Sequence, residues 1–171
     1  ELEATYIFLG NKGSDLWFFT NKNAPNGKIV KLKINKNESF LWEDVINETA
    51  LAISGFSLIN NKFVIKYLKD SQSKVSFFNL KGELISDLDL PSNGSVSGFN
   101  GEISDRYTYF SFTNYITPTK IYKIDMETLV LEEYWKESLP NFNSSDFFTE
   151  LRFFYSKDGT KVPLHVTYKK D

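Results

Sequence analysis

Apolar and polar residues alternate in short runs along most of this chain, and the runs return at a fixed interval. Three of them begin with lysine: Lys28-Ile29-Val30-Lys31-Leu32, Lys74-Val75-Ser76-Phe77-Phe78 and Lys120-Ile121-Tyr122-Lys123-Ile124, each 46 residues from the next. Ahead of each lies an aromatic-rich run, at 16–20, 63–68 and 107–112. The connectors NKNAPNG, KDSQS and TNYITPT carry the residues that turns demand. Further runs at 5–9, 52–58 and 96–99 precede these pairs, and others at 40–46, 84–90 and 131–135 come after them. Period-2 alternation over short stretches bounded by Gly, Pro, Asn and Asp predicts strands, and no helical period intervenes.

Four strands per unit at this spacing is the arithmetic of a β-propeller blade. A β-sandwich has similar strand density but no reason to repeat. The expected fold class is therefore all-β: a partial propeller of three four-stranded blades, at roughly residues 4–46, 50–90 and 95–137. A closed propeller takes about four to eight blades, so the chain is expected to be a piece of a larger ring. The segment LPNFNSSD then reads as a boundary between domains.

After it comes a hairpin, FFYSKDGTKVPLHVTYKK, residues 153–170. Asp158-Gly159 is expected to form a two-residue type I′ loop. On the return strand Val162, Leu164 and Val166 alternate with Pro163, His165 and Thr167, which predicts an apolar face and a polar one. Pro163 cannot donate to a ladder and points to a sheet edge or a strand start.

Composition narrows the function. Phe, Trp and Tyr make up 16 % of the 171 residues, which favours strands. There is no cysteine, so disulfides, thiolate metal sites and a cysteine nucleophile are excluded. A formal net charge of -2 gives no electrostatic case for nucleic acid or an anionic membrane as partner. No run of about 18 apolar residues is long enough to span a bilayer, and the N-terminal residues lack signal-peptide form. The chain starts with Glu1, so a preceding segment is expected.

The candidate chemistry is sparse. His165 is the single histidine and hence the only neutral-pH base, but its place on an alternating strand predicts a sheet-surface residue. Gly94-Ser95-Val96-Ser97-Gly98 fails as a Gly-x-Ser-x-Gly elbow because valine holds the central position; it reads as a turn and strand start. Glu43-Asp44 and Glu132-Glu133 are neighbours on strands and point to opposite faces, so they imply charged edges rather than an acid/base pair. Asn37, Asn47, Asn93 and Asn143 open N-glycosylation patterns, and each sits where a turn is expected. Trp17, Phe18, Phe77 and Tyr109 have no basic groove beside them and are expected to pack between blades. No residue is assigned a catalytic, cofactor-binding or metal-binding role, and no cofactor is expected.

The hairpin also resembles a known junction. Phe154-Tyr155-Ser156-Lys157-Asp158-Gly159-Thr160-Lys161-Val162-Pro163-Leu164, with Tyr168-Lys169-Lys170 after it, is similar to the segment of prolyl oligopeptidases where the last propeller blade returns to the α/β-hydrolase domain. Gly94 to Gly98 and the run from Tyr109 to Pro118 resemble that family's final blade. The resemblance implies that residues 1–140 are about blades five to seven of a seven-bladed propeller, 141–150 a linker and 151–171 the first hairpin of a peptidase domain. It implies a serine endopeptidase cutting short peptides after proline, with the propeller as lid and size filter and with Ser, Asp and His all outside these residues. The implied partners are the peptide substrate, the rest of the propeller and the hydrolase domain; the implied compartment is the cytoplasm. Two alternatives remain open: a relative such as oligopeptidase B, cleaving after basic residues, and a stand-alone propeller module for protein interactions.

Overall fold

The computed structural model describes residues 3–34 and 40–170. Twelve strands form three four-stranded antiparallel sheets, each in simple sequence order. Blade 1 holds β1 (Tyr6–Lys12), β2 (Asp15–Thr20), β3 (Lys28–Ile34) and β4 (Phe40–Ile46). Blade 2 holds β5 (Ala52–Ile59), β6 (Lys62–Lys69), β7 (Gln72–Asn79) and β8 (Leu84–Asp87). Blade 3 holds β9 (Ser95–Gly98), β10 (Tyr107–Asn114), β11 (Thr117–Asp125) and β12 (Leu131–Lys136). This is the partial propeller that the 46-residue period predicts. The only helical element among the described residues is a single 3-10 turn, Ser144–Asp146.

The lysine that leads each repeat has a physical role. Lys28, Lys74 and Lys120 reach across to a carboxylate on the outermost strand of their own blade: Asp44 at 2.8 Å, Asp87 at 2.9 Å and Glu133 at 2.7 Å. The repeat therefore marks one ion pair per blade between its third and fourth strands.

Two cores hold the blades together, one at each blade-to-blade contact. Between blades 1 and 2, Trp17, Ile29 and Ile46 meet Leu58, Phe63, Ile65 and Tyr67, with the Trp17 ring edge-on to Phe63 at 5.9 Å. Between blades 2 and 3, Ile59, Val64, Val75 and Phe77 meet Phe110, Phe112, Tyr122 and Ile124. Alternation along a strand sends successive residues to opposite faces, so β6 supplies both cores: Phe63 and Ile65 to one, Val64 to the other. Backbone bonds stitch the connectors as well, from Ile53 N–H to Asn26 O at 2.8 Å and from Ser73 N–H to Gly94 O at 2.9 Å. Gly82 (φ 83°) brings the β7–β8 turn against β4, where a Cβ would run into the carbonyl of Val45.

Several local expectations change. The run at 84–90 forms a strand only to Asp87; Leu88 keeps one bond to β7, its N–H donating to Val75 O at 2.8 Å, and Leu88 and Leu90 pack on the blade 2–3 core. The TNYITPT connector shrinks to Tyr115-Ile116, because β10 and β11 run on to Asn114 and from Thr117. Pro118 is tolerated there because the pairing shifts between Phe112 and Asn114, a bulge that releases its missing N–H from the ladder. Of the four aromatics expected between blades, Trp17 and Phe77 lie in the two cores. Phe18 lies instead on the outer face of the first blade against Phe8 and Trp42, and Tyr109 on that of the last blade against Tyr134.

The terminal hairpin is β13 (Phe147–Tyr155) and β14 (Lys161–Lys169), paired with one another alone. Its first strand begins at Phe147, inside the stretch expected to be linker. The Asp158-Gly159 turn is not type I′, since only Gly159 (φ 82°) has positive φ. Gly159 N–H donates to Ser156 O and Ser156 N–H to Thr160 O, giving a type I turn closed by a left-handed glycine. The type I′ loops lie elsewhere, at Asn60-Asn61 (φ 49° and 53°) and Asp70-Ser71 (φ 48° and 62°). On β14 His165 lines the cavity next to the blades together with Leu151 and Thr149 of β13, whereas Leu164 on the other face is 47 % exposed and its neighbours Val162 and Val166 are half-buried.

Candidate functional site at the blade–hairpin junction

Three turns meet at one end of blades 2 and 3: the Asp70-Ser71 loop, the β8–β9 connector and the Tyr115-Ile116 loop. The side chain of Asn114 fixes the last of these. Its Oδ1 accepts from Ile116 N–H at 3.0 Å, while its amide donates to Ser92 Oγ and Asn93 O, both at 3.0 Å. Tyr115 is thereby held out at the tip, 66 % exposed. The hairpin lies over this end, and between the two is a cavity of about 460 Å³ lined by Gln72, Asn114, Tyr115, Ile116, Leu151 and His165, among others.

His165 is half-buried and its ring sits 5.1 Å from that of Tyr115. Its Nε2 is buried and has no hydrogen-bond partner among the described residues. No hydroxyl is bonded to that nitrogen, so the arrangement is not that of an activated nucleophile. Gln72 Nε2, from the β7 end of the same lining, is buried and unpartnered in the same way. Gln72 and Tyr115 carry no signal in the sequence beyond their places beside turns, where binding residues concentrate.

The remaining candidates stand apart from this cavity. In the Gly94 to Gly98 segment Val96 is buried in the core, and a Cβ at Gly94 would crowd Thr113 O and the Phe112 ring. That segment contains β9, the edge strand of blade 3, lying close on β10. Glu43 and Asp44 diverge, Glu43 to Lys31 at 2.9 Å and Lys33 at 3.3 Å, Asp44 to Lys28. The Lys31 and Lys33 ammonium groups hold the Glu43 carboxyl below the usual carboxylate range, so it stays ionised and has no proton to give near neutrality. Glu133 is held down likewise, by Lys120. Among the described residues no three His, Asp or Glu side chains gather as metal ligands. Asn143 ties its side chain to Ser145 N–H and Asp146 Oδ1 at the 3-10 turn, and Asn37 lies outside the described residues. Among the described residues, no helix is long and apolar enough to cross a membrane.

Comparison with known proteins places this geometry. Residues 1–137 match the family model for the prolyl oligopeptidase N-terminal beta-propeller domain. The chain is similar to the prolyl endopeptidase of Elizabethkingia meningoseptica, 38 % identical over 92 % of this chain and 22 % of that protein. To the prolyl endopeptidase of Elizabethkingia miricola it is 37 % identical over 98 % of this chain and 24 % of that protein. Among solved structures, one from a study of two prolyl endopeptidases and their inter-domain dynamics superposes on the whole chain with a TM-score of 0.89 at 28 % identity, covering 25 % of its own chain. Prolyl oligopeptidase B of Galerina marginata, bound to a 25mer macrocyclization substrate, has the same fold, with a TM-score of 0.87 at 23 % identity over 97 % of this chain and 23 % of its own. The chain thus spans about a quarter of the length of the relatives it matches. With three blades in sequence order and a family match over all of them, the chain belongs to the prolyl oligopeptidase family, in its N-terminal β-propeller domain.

Proposed function

We propose that these residues are the closing blades of the propeller of a prolyl-specific serine peptidase, and that they act there as lid and size filter over an active site built by other residues. The observation that carries this is the reach of the similarity. The Elizabethkingia miricola relative is a prolyl endopeptidase, and its match covers 98 % of this chain, so it extends beyond residue 137 into the hairpin. The division that fits is 1–140 as blades, 141–150 as linker and 151–171 as the first hairpin of an α/β-hydrolase domain, whose Ser, Asp and His supply acyl transfer. A chain of 171 residues without cysteine suits a reducing compartment, and the cytoplasm is the compartment we propose. The partners are the remaining blades, the hydrolase domain and a short peptide.

The test is to express the full reading frame that contains these residues, including any codons beyond Asp171, and to assay blocked dipeptide fluorogenic substrates ending in proline or in arginine. Proline cleavage is expected, with no turnover by residues 1–171 alone. Arginine cleavage in its place would move the protein to the oligopeptidase B type, and inactivity on both would reject the peptidase role.

A further inference from the structure

The cavity under the hairpin has the wrong lining for a solvated surface crevice. It contains no Asp, Glu, Lys or Arg among the described residues, although such residues are a quarter of the chain. Its polar lining is Ser, Thr, Asn and Gln, its apolar part is Ile116 and Leu151, and its one aromatic wall is the Tyr115–His165 pair. The volume of about 460 Å³ falls within the roughly 300–1,000 Å³ of ligand sites.

Two buried atoms there lack a hydrogen bond, Gln72 Nε2 and His165 Nε2. Buried polar groups without partners are costly, and in native proteins they are rare. Asn114, also in the lining, spends its amide on Ser92 and Asn93 and serves as support. Gln72 has an N–H to give and needs an acceptor. His165 offers a ring nitrogen that pairs with a donor or an acceptor according to its tautomer. The complementary ligand is uncharged, presents a carbonyl oxygen beside a donor, and carries an apolar group for Ile116, Leu151 and the Tyr115 ring. A peptide unit meets all three requirements at once.

We propose that this cavity binds an uncharged, extended stretch of peptide, with its backbone amides on Gln72 and His165 and an apolar side chain against Tyr115. The inference rests on the peptidase reading for the source of that peptide, and it assigns the propeller a holding site of its own. The peptide is held here without reaction, since no nucleophile is bonded to His165 Nε2.

His165 is the only histidine of these residues, so its signal can be assigned by one substitution. In the full reading frame labelled with 13C at histidine, the imidazole signals that His165→Gln removes belong to His165. Titration with N-acetyl-Ala-Pro-Ala-amide at fixed pH is expected to move the Hε1 and Hδ2 signals to a saturating limit. Gln72→Leu keeps the bulk, removes the amide and is expected to weaken binding at least tenfold. Tyr115→Ala, at an exposed tip where folding is not at stake, is expected to weaken it severalfold. Maltose serves as the rival neutral ligand. Signals that respond to maltose and ignore the peptide would overturn the proposal in favour of a saccharide site, and signals that ignore both would overturn it outright. The cleavage assay of the longer chain is scored separately. Peptide binding here without proline cleavage would sink the peptidase reading and leave the cavity, whereas cleavage without a His165 response would sink the cavity alone.

Discussion

At the scale of single residues, burial decides which side chains matter to the fold. Phe112 is fully buried on β10 in the core between blades 2 and 3. Phe112→Ala is expected to lower unfolding stability by about 3–5 kcal/mol, from lost transfer energy and a cavity the rigid sheets cannot collapse; urea denaturation checks it. Asp158 is a different case, a fully exposed carboxylate in the hairpin turn. The Ser156 hydroxyl donates to it, as does Thr160 N–H, and these bonds pull its carboxyl down to about 2. Because the folded value lies below the ordinary 3.8, the turn gains stability that is present above that pH and is lost as pH falls toward 2. Carbon-detected titration of Asp158 should show this midpoint, and Asp158→Asn should remove the acid dependence of hairpin order. A midpoint near 3.8 would mean the bonds do not persist.

At the scale of elements, the strands were legible because a strand's alternation is local, and the blade period because one ion pair recurs. The leading lysines were visible only as a spacing; their partners Asp44, Asp87 and Glu133 sit among other carboxylates in the same runs, and nothing in the sequence singles out which one each lysine takes. The Lys74–Asp87 pair is over two-fifths exposed at both ends. Lys74→Ala is therefore expected to cost about 0–1 kcal/mol, and a larger loss in thermal unfolding would show that the pair orders the sheet edge. What the sequence hid was anything set by two strands at once. The faces of β14 depend on β13, and Asp158-Gly159 matches a type I′ loop as readily as the wider turn that forms. The cavity was illegible for the same reason, since Gln72, Tyr115 and His165 come from three separate segments that only the fold brings together.

At the scale of the whole molecule, three blades leave two outward faces. That of blade 1 is aromatic: Tyr6, Phe8, Phe18 and Trp42 pack ring to ring at 5.3–5.5 Å, yet Phe8 is 53 % and Trp42 48 % exposed. An exposed apolar patch of this kind favours association. Residues 1–171 alone are expected to form concentration-dependent oligomers by light scattering, and Phe8→Lys with Trp42→Lys should return them toward the monomer. A wild-type chain that stays monomeric at high concentration would show that this face needs no cover.

The two ends of the hairpin lie side by side. Phe147 pairs with Lys169, and Lys170 N–H donates to Asp146 O at 2.7 Å, so the chain leaves β14 beside the point at which it entered β13. Elsewhere the His165 ring rests on that of Tyr115. In architectural terms the hairpin is a cassette. Because entry and exit coincide, replacing residues 147–169 by a short loop is expected to leave both blade cores intact while removing Leu151 and His165 from the cavity, which urea denaturation of the shortened chain would check.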